Sequence, residues 1–186
     1  MMAIPQLKVW TYDDYAALPD DGTRYEVIAG ELIALSSPRT RHQMIVTEIT
    51  MQLYIFARAS QLGTVLVAPT DVVLSPFDVV QPNVLFIAAE HAEIITEMNV
   101  QGPPDLCVEI LSPGTSGRDL RQKRDLYARF GVREYWIVDP DTEHVTVLVL
   151  HNGTYTAIAE ATGTAEVHSV VLSDFTIAAE RLFPRT

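Results

Sequence analysis

A carboxylate inside an apolar run is the first residue of this chain whose type and place could do chemistry. Pro103-Pro104-Asp105-Leu106-Cys107-Val108-Glu109-Ile110-Leu111-Ser112-Pro113 reads as a buried strand, with Glu109 near its C-terminal end. An ionised side chain there has a desolvation cost that a divalent metal, a cation or several donors must offset. A buried salt bridge or an edge position is the alternative. Lys123 follows one loop later. Leu120, Lys123, Leu126, Tyr127 and Phe130 recur at spacings of three and four, so they share one helical face, while Arg121, Asp125 and Arg129 lie toward the other. That places Lys123 within the stripe that docks on the sheet, where its ammonium either snorkels out or enters a polar pocket.

Two more side chains belong with these. Asn83, after Gln81-Pro82, stands where a strand enters the core. It is either a turn residue or an amide oxygen offered to a metal, more weakly than a carboxylate would be. His42 lies on the Ile45-Ile49 face near a helix N-terminus, which favours an anion; a hydrogen-bonded histidine beneath the sheet is the alternative.

The elements that must position these residues follow from periodicity. Thr11 caps a short helix at Thr11-Tyr12-Asp13-Asp14-Tyr15, and two strands flanking Ala29-Gly30 form a hairpin. Ile45, Ile49, Leu53 and Phe56 predict a helix over residues 40–60. Residues 64–74 and 79–88 read as strands, the second interrupted by Gln81-Pro82, and residues 103–111 as a third. A loop of capping residues from Ser112 to Gly117 leads to a helix over residues 118–130, closed by Gly131. Residues 132–138 read as a strand, followed by a hairpin turning at Asn152-Gly153 and a further hairpin beginning near residues 165–172. Apolar central strands between helices suit a mixed sheet with helices packed against it.

The 186 residues suffice for one domain spanning 1–186, and 48% hydrophobic with 20% charged residues is an ordinary globular composition. Cys107 has no second cysteine to pair with, so it reads as a core residue, and a cytoplasmic location is expected. No apolar run reaches signal-peptide or membrane-span length. The net charge of −11 permits nucleic acid without recommending it, since DNA-gripping domains are usually basic on at least one face. A local basic surface remains open, because Arg118, Arg121, Lys123, Arg124 and Arg129 cluster, as do Arg39 and Arg41.

The motifs Tyr25-Glu26-Val27-Ile28-Ala29-Gly30-Glu31, Arg41-His42-Gln43, Gln81-Pro82-Asn83-Val84, Val108-Glu109-Ile110-Leu111-Ser112-Pro113 and the run from Lys123 to Pro140 occur in order over nearly the whole chain. Together they resemble the Uma-two family of restriction-like endonucleases. The resemblance implies the PD-(D/E)XK nuclease fold: an α/β domain with a central mixed sheet flanked by helices, here followed by C-terminal β-hairpins. It implies that Glu109 is the second metal-binding carboxylate, that Asn83 stands where the first metal-binding aspartate is usual, and that Lys123 is a relocated catalytic lysine, its usual slot being Leu111. Glu26 and His42 match two further polar positions of the family and are expected near the same cleft.

The implied chemistry is phosphodiester hydrolysis assisted by Mg²⁺, or Mn²⁺, on nucleic acid, with DNA the expected polymer and a homodimer the expected assembly. Asparagine at 83 removes one negative charge from a site whose hold on a hard dication depends on charge count, so weak or absent activity is expected. Asp78 lies five positions away and would face the opposite side of a regular strand. A catalytically inactive module that binds nucleic acid or a protein partner is the alternative function.

Overall fold

The computed structural model describes residues 8–112 and 116–185, with side chains at all of these except 116–119. Pro113, Gly114 and Thr115 of the expected capping loop, and the side chain of Arg118 in the expected basic stretch, therefore lie outside the described residues. The chain begins with helix α1 (Tyr12–Ala16), which Thr11 and Asp14 cap reciprocally: each side chain accepts a hydrogen bond from the other's backbone N–H. Strands β1 (Arg24–Ile28) and β2 (Glu31–Leu35) pair antiparallel. Ala29 and Gly30 both take positive φ, 51° and 76°, the conformation that lets a two-residue turn follow the twist of its strands.

Helix α2 (Thr40–Ala59) buries His42, Ile45, Ile49, Leu53 and Ala57, one stripe at the predicted spacing. The next two predicted strands each break in two. Residues 64–74 become β3 (Gly63–Val67) and β4 (Val72–Ser75), and residues 79–88 become β5 (Asp78–Val80) and β6 (Val84–Ala88). Both breaks contain a proline, Pro69 in a cis peptide and Pro82, which cannot donate to a ladder, and the chain changes sheets at each. After β6 come a short 3-10 helix (Ala89–Ile94), β7 (Val100–Gln101), β8 (Leu106–Ile110), helix α3 (Ser116–Phe130) and β9 (Glu134–Asp139). Strands β10 (His144–His151) and β11 (Thr154–Ala161) form the expected hairpin across Asn152-Gly153. The last hairpin pairs β12 (Glu166–His168) with β13 (Thr176–Ala178), a wider loop than residues 165–172 suggested.

The main sheet runs β11-β10-β9-β8-β6-β3, and it is mixed because β8 and β9 are parallel while the other neighbours are antiparallel. The second sheet runs β2-β1-β5-β4-β7. Strand alternation divides the core in two. Leu106, Val108 and Ile110 of β8 pack with the apolar stripe of α2 and the C-terminal segment, whereas Cys107 packs with Leu126 and Tyr127 of α3 and with Val80 of the second sheet. Glu109 shares the parity of Cys107, so the pleat alone directs it toward α3.

Two other buried carboxylates tie segments together. Glu134 accepts from Trp136 Nε1 at 2.6 Å and from the amides of Val170 and Val171 at 2.7 and 2.9 Å, fastening the C-terminal segment to the sheet. Asp105 accepts from the Ala88 amide at 2.7 Å and faces His91 Nδ1 at 3.0 Å. Hydrogen bonding and charge from Asp105 raise the pKa of His91 above its ordinary 6.5. The proton-linked stabilisation from this pair is therefore present below pH 6.5 and is lost as pH rises through the raised value. Asp105→Asn should bring the His91 titration, followed by proton NMR, back toward 6.5; a midpoint unmoved by the substitution would refute the assignment.

Candidate active site

Glu26, Glu109 and Lys123, taken from β1, β8 and α3, meet in one place although they are up to 97 residues apart in sequence. Lys123 Nζ lies 2.8 Å from Glu26 Oε1 and 2.9 Å from Glu109 Oε1. The three side chains are only 3%, 9% and 11% exposed for Glu26, Glu109 and Lys123, so this is a desolvated cluster rather than a surface pair. Lys123 does not snorkel out; its helical face docks on the sheet and its ammonium turns into the polar pocket.

Each carboxylate has a second, fixed donor. Tyr127, one turn after Lys123 on the same helical face, donates its hydroxyl to Glu109 Oε1 at 2.8 Å. The backbone amide of Gln81 donates to Glu26 Oε1 at 2.8 Å. Among the described residues all these bonds fall on the Oε1 atoms, which leaves Oε2 of both glutamates without a protein donor. Burial raises the pKa of Glu109 and the charge of Glu26 adds to the rise, while Lys123 opposes it. Burial works against the Lys123 ammonium, but the two carboxylates outweigh it and raise its pKa, so the lysine is charged.

The cluster opens into a cavity of about 320 Å³ bounded by the first hairpin, the start of α2, the Gln81-Pro82-Asn83 crossover and the end of β8. Asn83 and His42 line it too. Asn83 Oδ1 accepts the Ile110 amide at 2.7 Å, and this bond pins the end of β8 beside Glu109. A carbonyl oxygen has two lone pairs, so one remains. His42 is 9% exposed, and its Nδ1 lies 3.2 Å from Gln43 Oε1. All five residues singled out from the sequence thus border one hollow. Asp78 does not: it accepts from the Ala29 amide and pairs with Arg129 at 2.9 Å.

The expected basic stretch is dispersed by the fold. Arg41 pairs with Glu143, Arg129 with Asp78, and Arg124 donates to the Tyr155 carbonyl. Among the described cationic residues, Lys123 lines the cavity together with Arg39 and Arg24. Sequence reading assigned no role to Arg24, Gln81 or the Tyr127 hydroxyl. Only Tyr127 carried a signal, its place four residues after Lys123 on the same face; the other two reach the site through strand pairings invisible in the sequence.

The sequence profile of the Uma2 family, described as "putative restriction endonuclease", matches residues 12–180. The chain belongs to this family. Its fold is also that of a solved Anabaena variabilis protein, titled a putative nuclease belonging to DUF820: the TM-score is 0.79 at 18% identity, over 93% of this chain and 97% of that one. No curated protein matches the sequence. The Uma2 fold accounts for the restriction-endonuclease-like architecture expected above. Among the described residues no helix is long and apolar enough to cross a membrane.

Removing the Tyr127 hydroxyl tests the cluster's rigidity. Tyr127→Phe deletes a bond to a charged acceptor, worth about 1.5–3 kcal/mol, and should lower the urea midpoint accordingly. A midpoint within error of the wild type would show that this bond contributes nothing.

Proposed function

We propose that this chain is a metal-dependent endonuclease that hydrolyses phosphodiester bonds, with DNA as substrate and with activity weakened by asparagine at position 83. The observation that carries the reading is the convergence of Glu26, Glu109 and Lys123 on one cavity in a member of a restriction-endonuclease-like family.

The residues present fit a hard divalent cation of the Mg²⁺ class. Among the described residues Glu26 Oε2 and Glu109 Oε2 have no protein donor, and Asn83 Oδ1 retains a lone pair on the same wall. Mg²⁺ commonly takes one or two carboxylates and keeps several waters, so two glutamates and an amide are a sufficient, though lean, donor set. When bound, such an ion supplies Lewis acidity and lowers the pKa of its water. Lys123 contacts both glutamates and offers its ammonium to charge building on the phosphate. His42, in the first turn of α2, can hydrogen-bond a phosphate oxygen across the cavity. Tyr127 and the Gln81 amide each hold one carboxylate by its Oε1.

The second reading, an inactive nuclease-fold module, is favoured by one observation: Asn83 Oδ1 already serves a structural bond to Ile110. Incubating plasmid with Mg²⁺ or Mn²⁺ and the wild type, Glu109→Ala and Asn83→Asp separates the two. Cleavage lost in Glu109→Ala supports the enzyme. Cleavage seen only with Asn83→Asp supports the inactive module. If no form cuts DNA or RNA, the nuclease reading fails. A homodimer, the assembly proposed by analogy with enzymes that cut both strands, is checked by sedimentation of the same preparations.

A further inference from the structure

Arg24 occupies an unusual electrostatic position. Arg41, Arg129 and Arg133 each have a carboxylate partner, Glu143, Asp78 and Asp105 respectively. Among the described residues Arg24 has none, although it lines the cavity and the chain carries an excess of 11 negative charges. Among the described residues its side-chain partner is neutral: Nε donates to Gln81 Oε1 at 2.9 Å.

That bond is itself enforced from behind. Asp71 Oδ1 accepts from Gln81 Nε2 at 2.9 Å and from the Tyr15 hydroxyl at 2.7 Å. With its NH₂ group committed to Asp71, the Gln81 amide must present its oxygen to Arg24. Gln81 is buried, and its backbone amide holds Glu26, so one residue fixes both the glutamate and the guanidinium. Using Nε for the anchor leaves the two terminal NH₂ groups, the fork that matches two oxygens of a phosphate. Among the described residues the charged groups on the cavity wall are Arg24, Arg39, Lys123, Glu26 and Glu109, so cations outnumber carboxylates among them in an otherwise acidic protein.

We propose that Arg24 is a substrate-binding residue that grips a backbone phosphate of the nucleic acid, and that Gln81, held by Asp71 and Tyr15, is its positioning residue. The assignment rests on the nuclease reading and names the contact that would hold the polymer over the carboxylates. Metal is not needed for this contact, so binding can be measured without cleavage.

The test is titration of a fluorescent DNA duplex, and of its single strand, with wild type, Arg24→Met and Arg24→Lys, without divalent metal and across a range of salt. Thermal melting first establishes that each variant is folded. Arg24→Met should weaken binding about tenfold at low salt and reduce the slope of log affinity against log salt by about 0.9 on duplex or about 0.7 on single strand, one phosphate contact fewer. Arg24→Lys should keep the wild-type slope and bind a few-fold more weakly, since lysine has no Nε for Gln81 to hold. Wild-type affinity and slope in Arg24→Met would overturn the assignment and leave the nuclease reading standing. If that variant does not fold, Arg24→Lys decides, and unchanged affinity overturns the assignment. Absence of salt-dependent binding by the wild type to either form would overturn both.

Discussion

Lys123→Met should lower the free energy of unfolding by about 3–5 kcal/mol, the loss typical when one partner of a buried ion pair is removed. The cost comes less from the missing attraction than from what remains. Glu26 and Glu109 both contact the same ammonium, so they lie within two hydrogen-bond lengths of each other, nearly out of water and with no cation between them. Methionine matches the apolar stem and packs on the same face, which confines the change to the charge. Urea denaturation should show a lower midpoint at unchanged slope.

The pH dependence of that loss gives a second check. In the wild type, burial already raises the pKa of Glu109, and Lys123 works against the rise. Without the lysine the value climbs further. A carboxylate whose folded pKa lies above its ordinary 4.5 favours the fold below that pH and loses the contribution as pH rises through the folded value. The deficit of Lys123→Met should therefore be small near pH 4 and grow toward neutrality, following the ordinary value of 4.5. At the alkaline end the raised Lys123 pKa means that its stabilisation, present from neutrality to pH 10.5, is lost as pH rises through the raised value. Adding Glu26→Gln and Glu109→Gln to Lys123→Met should recover most of the stability, because no uncompensated charge remains buried. A loss below about 1 kcal/mol that ignores pH would show that the cluster is solvated and that the pocket described here is wrong.

Asn83→Asp should strengthen divalent-metal binding on the order of thirtyfold. One added elementary charge about 4 Å from a dication is worth about 2 kcal/mol even at the dielectric constant of water. The substitution suits the site sterically, since a carboxylate oxygen accepts the Ile110 amide as readily as the amide oxygen does. Isothermal titration with Mn²⁺ reads the affinity, and plasmid cleavage reads its consequence. Because the aspartate adds a third carboxylate to the cavity that Glu26 and Glu109 line, stability without metal should fall modestly and be restored by the ion. An affinity equal to that of the wild type would place the metal elsewhere, or nowhere, and position 83 would then serve only to hold β8.

Much of the site was legible from side-chain chemistry set against pattern. Glu109 stands out because a carboxylate interrupts a strand of otherwise buried residues, and Lys123 because an ammonium falls within a helical stripe of leucine and tyrosine. Periodicity fixed which face each occupies, and the two faces meet. Glu26 and His42 entered through the family resemblance, since a glutamate in a hairpin strand and a histidine at a helix start have nothing locally unusual about them. Strand boundaries were less legible. Residues 79–88 form an apolar run with one proline in it, yet the chain leaves one sheet before Gln81 and joins another after Asn83. Nothing local to the run distinguishes an interruption within a strand from a passage between sheets.

By itself the sequence determined the mixed α/β architecture, the parity of Glu109, the stripe that carries Lys123 inward and the family to which the motifs point, because these depend on periods of two and about 3.6 residues and on residue type. Tertiary structure alone decided how the charges are partnered. Strand order brought Gln81 beneath both Glu26 and Arg24, and helix docking put Tyr127 against Glu109. It also removed Arg41 and Arg129 from the cavity by giving each a distant carboxylate. Pairings between residues tens of positions apart follow from which strands lie side by side, and that is settled by burial of the whole core, not by any segment of the chain.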